Sequence, residues 1–249
     1  MKIGIIIRTY KRKQGTSKKY LTKMFHMLEN QTYKNFKVFI IGDNYSDNKE
    51  FEHLCNSYNG NIYYFNSPID YRTNYFKIQM NKWTCGGNYS NYIGIKKAIE
   101  ENYDYYFHLD DDDIWTNNHI ENYVKYLKLF PKTDFMICKS KYKHTILPKE
   151  HKKITIEKYN NFSIKSCNSV HSSWCINLNT LGNFFITNYQ IRIDKINKIK
   201  TCKIKEEELI PMDANLLNKL KEKQKLNIIK AICLNKITCS KLNDVNIPL

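Results

Sequence analysis

The chain has 249 residues, with 40 Lys and Arg against 24 Asp and Glu, giving a formal net charge of +16. At 42% hydrophobic and 14% aromatic it can bury a sizeable core, which excludes a largely disordered chain despite its charge. No apolar run is long enough to span a membrane, and the apolar start at residues 3–7 is too short for a secretory signal. The expected address is therefore cytoplasmic, with a basic surface that also suits peripheral contact with a membrane.

Residues 2–8 form a continuous apolar run, the pattern of a strand buried on both faces. A polar loop follows at 9–17. Leu21, Met24, Phe25 and Leu28 then fall at helical spacing within 18–30. A second strand is expected at 36–41, ended by the turn cluster Gly42-Asp43-Asn44. Phe51, Leu54, Cys55 and Tyr58 suggest a second helix, and 61–65 a third strand. Residues 68–84 are polar and irregular. A helix at 92–101 precedes a strand at 103–109, and a helix at 118–130 precedes a strand at 135–138. Alternation of this kind means βαβ units and a mostly parallel sheet, with ligands at the carboxyl ends of the strands.

The later part is less regular. Residues 139–165 are basic and read as a surface loop or hairpin, and 170–178 as a strand crossing the site. Residues 184–199 fit no single period. A helix is expected from Met212 to about Lys223, then a closing strand, or helix plus strand, over 226–234 and 237–239. There is neither an internal repeat nor a Pro, Gly or Ser linker, so one domain over 1–249 is expected. It divides into a nucleotide-binding half at 1–115, an acceptor and catalytic half at 116–225, and an extension at 226–249.

Four adjacent carboxylates, Asp110 to Asp113, directly follow the apolar strand Tyr105-Tyr106-Phe107-His108-Leu109. Their mutual repulsion calls for a cation. At a strand's carboxyl end, a hard divalent ion with oxygen ligands is the natural partner, and Mg²⁺ or Mn²⁺ typically takes one or two carboxylates plus substrate phosphates. The plain alternative is a solvated acidic turn before a helix start.

The segment Leu109-Asp110-Asp111-Asp112-Asp113-Ile114-Trp115 resembles the D-x-D region of family 2 glycosyltransferases, which have the GT-A fold. Three other segments agree in order. Residues 5–12, Ile-Ile-Ile-Arg-Thr-Tyr-Lys-Arg, resemble the family's opening strand followed by P-T-Y-N-R. Residues 31–36 and 40–48 resemble Q-T-Y-x-N-F and a D-D-G-S-T-D-N-like segment. Gly86-Gly87 and Gly94-Ile95-Lys96-Lys97-Ala98 resemble the glycine-rich stretch before the D-x-D strand. The similarity runs from residue 3 to about 130.

The resemblance implies an α/β GT-A-like fold and a metal-dependent, inverting transfer of a sugar from a UDP- or GDP-sugar to a hydroxyl acceptor such as a glycan. It implies nucleoside contacts at Thr9, with Tyr10 beside it, and at Asp43. It places the donor ribose near Asp110, with Asp111 adjacent, and the Mn²⁺ or Mg²⁺ on Asp112. Arg72 is a further nucleotide candidate, or a solvated surface arginine. Three positions depart from the family pattern: Arg8 stands for proline, Gly42 for the first acidic residue, and Asn44-Tyr45 for Gly-Ser.

An inverting transfer needs a carboxylate to deprotonate the acceptor hydroxyl. The family supplies it in an E-D-like motif at a helix start. Met212-Asp213 is the similar pair, which makes Asp213 the candidate base or a plain helix cap. Asp194, Glu206, Glu207 and Glu208 are the fallbacks. The segment His171-Ser172-Ser173-Trp174 resembles one lining the acceptor side, where Trp174 would stack on a sugar or serve as a core residue.

The eight cysteines form no C-x-x-C pair and no zinc-spaced set with histidines, so buried, reduced thiols are expected. Heavy use of Lys, Asn, Ile and Tyr is the mark of AT-rich coding and explains part of the charge. Nucleic acid is disfavoured as a partner, because no nucleic-acid-binding signature accompanies the charge. The alternatives are a metal-dependent nucleotidyltransferase or nucleic-acid-processing enzyme, and a non-catalytic binding module with a decayed site.

Overall fold

The computed structural model describes residues 1–12, 15–69, 76–149, 163–166 and 169–241. The first apolar run becomes the central strand β1 (Ile3–Thr9). It pairs in parallel with β2 (Phe36–Asp43) on one side and β4 (Tyr105–Asp110) on the other, and β3 (Ile62–Ser67) lies parallel outside β2. The connections carry α1 (Thr16–Glu29), α2 (Asn48–Asn56), α3 (Gln79–Cys85) and α4 (Asn88–Glu100). Asp47 caps α2 by accepting from the Glu50 N–H at 3.0 Å.

Beyond β4 the chain forms β5 (Asp113–Trp115), α5 (His119–Leu129), β6 (Phe135–Tyr142), β7 (Thr145–Leu147) and β8 (Cys175–Asn177). It ends with α6 (Leu178–Lys200), α7 (Met212–Lys225) and β9 (Ala231–Lys241). The sheet order is β3-β2-β1-β4-β8-β6-β9-β5, with β7 paired to β6 as a hairpin. Strand β8 is antiparallel to both β4 and β6, whereas β9 runs parallel to β6.

Alternation along β1 builds a core on each face of the sheet. Ile5 and Ile7 join Leu21 and Phe25 of α1, Phe51 of α2 and Tyr123 of α5. Ile6 joins Ile95 of α4, Phe185 of α6 and Leu216 of α7 on the other face. Burying each such side chain contributes about 1.5–3 kcal/mol, so the central strand is firmly placed in a three-layer α/β/α stack.

Several local expectations change. The irregular stretch 68–84 contains the start of α3. The ambiguous stretch 184–199 lies inside the 23-residue helix α6. The strand expected over 170–178 is split into a 3₁₀ turn, His171–Ser173, and the short β8. Ser173 causes the break, because its backbone N–H and its hydroxyl both donate to the Val170 carbonyl. Of the two closing apolar stretches, 231–234 and 237–239 form one strand, β9, and 226–230 make the turn that leads into it.

Candidate active site

Parallel register brings the carboxyl ends of β1, β2 and β4 together. Thr9 pairs with Gly42, Arg8 with Asp110, and Asp43 with Ser67. An open cleft lies at this edge. It is lined by Arg8, Tyr10 and Arg12 from β1 and its loop, Asp110 to Asp112 at the end of β4, Thr84, Gly86 and Asn88 around the start of α4, and Met212 and Asp213 at the start of α7. His171 and Tyr189 complete the wall. Residues about a hundred apart in sequence therefore meet in one place.

The carboxylates of the acidic run have different surroundings. Asp111 is 5% exposed. Arg12 grips it at both ends, Nη1 to Oδ2 and Nη2 to Oδ1, each at 2.6 Å. Thr9 Oγ1 donates to Asp111 Oδ2 at 2.7 Å and lies 2.8 Å from the Tyr45 hydroxyl. The Arg12 guanidinium also stacks between Tyr10 and Tyr20, 4.4 and 4.7 Å from their ring centres. Burial works against the charge on Arg12, but its bond and proximity to Asp111 outweigh this and raise its pKa.

Asp110 sits among a different set. Its Oδ1 accepts from Arg8 Nε at 2.9 Å and lies 3.0 Å from His108 Nε2, and its backbone N–H donates to Ser172 Oγ at 2.8 Å. Burial likewise opposes the charge on Arg8, but Asp110, Tyr189 and Asp213 together raise its pKa. The rings of His108 and His171 stack with centres 3.4 Å apart.

Among the described residues, two groups could hold a cation. Asp110, Asp112 and Asp113 offer carboxylate oxygens within 4.8 Å of one another, and so do His108, Asp110 and His171 with two imidazoles and one carboxylate. The first set, all oxygen, has the chemistry of a hard divalent ion. The acidic run is thus not a solvated turn, since Asp111 and Asp113 are buried.

Asp213 lies in the first turn of α7, faces the cleft, and accepts from the Ala214 N–H at 2.8 Å. Met212, where the family pattern has an acidic residue, is buried against the α6–α7 core and touches the cleft. None of the fallback acids, Glu208 included, lines the cleft, and three of them are occupied elsewhere. Glu206 accepts from the backbone of Lys77 and Ile78, Glu207 pairs with Lys195, and Asp194 accepts from Gln190.

The structure therefore gathers Tyr10, Asp110, Asp111, Asp112 and Asp213 in one cleft. Thr9 is buried just beneath it, holding Asp111. Asp43 is buried at the end of β2 and accepts from the Gly87 N–H at 3.3 Å. The glycine before it has a steric cause, because a Cβ on Gly42 would come 2.8 Å from Asn66 Oδ1 and 3.0 Å from Phe51. Arg72 lies outside the described residues. Trp174 is corrected to a core residue. It is 0% exposed, its ring meets Phe135 edge-on at 5.5 Å, and its Nε1 donates to Ser169 Oγ, so neither face is open to a sugar.

Sequence reading missed Arg12 and Tyr189 as parts of this site, and singled out His171 only within the segment that resembles the acceptor side. Arg12 and Asp111 are 99 residues apart, and only the β1–β4 register joins them. Tyr189 belongs to a helix whose period was unreadable.

The model of glycosyl transferase family 2 matches residues 4–188. An uncharacterized glycosyltransferase of Acanthamoeba polyphaga mimivirus is 31% identical over 179 residues, covering 70% of this chain and 71% of that protein. Among solved structures, TarS 1–349 from S. aureus superposes with a TM-score of 0.60 at 14% identity over 97% of this chain. Its complex with UDP-GlcNAc gives a TM-score of 0.56 at 14% identity over 99%, and its complex with UDP gives 0.52 at 12% over 91%. This chain spans 60% of the TarS 1–349 chain in the first comparison. The fold is thus the GT-A-like α/β fold, and the chain belongs to glycosyltransferase family 2.

Proposed function

We propose that the chain moves a sugar from a UDP-sugar to a hydroxyl of a glycan or similar acceptor, with inversion at the anomeric carbon. The observation that carries this reading is the meeting of Asp110 and Asp112 with Asp213 in one cleft. The TarS complexes contain UDP and UDP-GlcNAc, which makes UDP the first donor nucleotide to test.

Asp112, with Asp110 and Asp113, would hold a Mn²⁺ or Mg²⁺ ion, whose chemistry is to neutralise the charge that develops on a leaving diphosphate. Asp110 and Tyr10 would position the nucleoside end. Asp43, at the end of β2, is proposed to face the base side. Asp213 is the proposed base, taking the acceptor's hydroxyl proton as the oxygen attacks from the face opposite the diphosphate. The single-domain organisation over 1–249 and its three functional segments are proposed with it.

The test is UDP release from a panel of UDP-sugars with saccharide acceptors present. Asp213→Asn should keep UDP binding and lower transfer by about 10²–10⁴-fold. Transfer at the wild-type rate would move the base elsewhere.

A further inference from the structure

Arg8 stands where the family pattern has proline, and the reading above gives it no task. It is the last inward side chain of β1 on the face covered by α4 and α6, sharing that face with Ile6. It reaches the cleft beside Asp110, Tyr189 and Asp213. Arg8 and Arg12 differ in what they have left to offer. Arg12 spends both terminal nitrogens on Asp111. Arg8 uses only Nε, on Asp110 Oδ1. Among the described residues nothing else accepts from it, so the edge formed by Nη1 and Nη2 is available to a ligand. The side chain is 24% exposed, through the cleft.

Two further features favour a ligand at this place. Thr84 lines the same cleft at 5% exposure, and its Oγ1 has no hydrogen-bond partner among the described residues. A buried hydroxyl without a partner is costly unless a ligand or water completes it. The wall is also built around the arginine. Gly87 sits at φ +75°, and a Cβ there would come 2.5 Å from Arg8 Cδ and 3.0 Å from Nη1. Glycine is what lets the guanidinium lie against the start of α4.

A planar fork with two parallel N–H donors fits an oxyanion pair, as on phosphate, better than a neutral hydroxyl. We propose that Arg8, with Thr84, is a protein-borne anion site for the donor's diphosphate, acting beside the carboxylate-held cation and independently of it. The inference rests on the nucleotide-sugar reading for its ligand, and on the Arg8 geometry for its site. Asp110 then does two jobs: it orients the Arg8 fork through Nε and keeps the remaining edge turned to the cleft.

The experiment compares binding of UDP, UMP and inorganic pyrophosphate in the presence of EDTA, for wild type and Arg8→Met. Wild type should bind UDP more tightly than UMP, and should bind pyrophosphate without metal. Arg8→Met should weaken UDP and pyrophosphate by about tenfold or more, and UMP much less. Equal weakening of UDP and UMP, or unchanged binding of pyrophosphate, overturns the proposal.

Arg8→Lys guards against loss of fold in the methionine variant. It keeps the charge beside Asp110 but loses the second edge, and should still show selective weakening of UDP over UMP. No selectivity there also overturns the proposal. If wild type binds pyrophosphate through Arg8 but shows no preference for any nucleotide, the donor reading fails while the anion site stands.

Discussion

Asp111 lies in the middle of the acidic run, yet its contacts are those of a brace, and the Arg12–Asp111 pair offers a sharp test of that role. The two side chains are 14% and 5% exposed and share two 2.6 Å bonds. Arg12→Met leaves a buried carboxylate with the Thr9 hydroxyl as its donor. It also removes the cation between Tyr10 and Tyr20. Breaking one side of a buried pair costs about 3–5 kcal/mol.

For a chain of this size each kcal/mol lowers the melting temperature by about 2–4 °C, so a drop of about 10 °C is expected. Asp111→Asn should cost less, about 1–2 kcal/mol, because Arg12 at the cleft can turn to water. The double variant should fall close to the Asn variant, with a coupling of about 3–5 kcal/mol in the cycle, nearly the whole cost of Arg12→Met. Thermal or urea unfolding of the four proteins measures it. Additive effects, or an Arg12→Met protein as stable as wild type, would refute the brace. UDP affinity adds a second readout, since the double variant should still bind the nucleotide.

Two other predictions follow from the same contacts. His119 is fully buried with Nδ1 against Thr238, and burial pushes its pKa down to about 3. The unfolded chain takes up this proton near pH 6.5 and the folded chain does not. The contribution is therefore complete above about 6.5 and is lost as pH falls towards 3, by roughly 5 kcal/mol in total. His119→Gln should flatten the stability–pH curve between about 6.5 and 4 in urea titrations; an unchanged slope would assign that loss to other groups. Gly87→Ala forces a side chain into the left-handed region and onto Arg8, and should destabilise by at least about 1–2 kcal/mol while weakening UDP binding. A stable protein with full UDP affinity would show that Arg8 has room to move.

The parallel half of the sheet was readable because its strands are short apolar runs, and those of β1 and β2 are followed by helices with a clear period. The acidic run was readable for a related reason. Four carboxylates that begin at the last residue of β4 must lie at the carboxyl edge of the sheet, whatever the rest of the chain does.

The later half was harder, for physical reasons specific to its residues. Helix α6 puts Asn188 and Arg192 into its buried stripe and leaves Ile191 56% exposed, so its period is blurred. Strand β8 has three residues and exists through its partners β4 and β6, not through its own propensity. Trp174 could be placed only once Phe135 and Ser169 were known to enclose it.

In the site, residue identity singled out Asp110, Asp112 and Asp213, which the fold brings to one cleft. It could not show that Asp111 is held by Arg12, or that Arg8 reaches the same cleft with an edge to spare. Both depend on which strand lies beside β1, a fact of pairing across a hundred residues.

The central claim is that the acidic run holds a divalent ion for a nucleotide diphosphate, and calorimetric titration of UDP with and without Mn²⁺ tests it most directly. Wild type should bind UDP more tightly with Mn²⁺ than with EDTA, and Asp112→Asn should lose most of that difference while remaining folded. Equal UDP affinity in the two buffers, or an Asp112→Asn protein that keeps the full Mn²⁺ effect, would contradict the account.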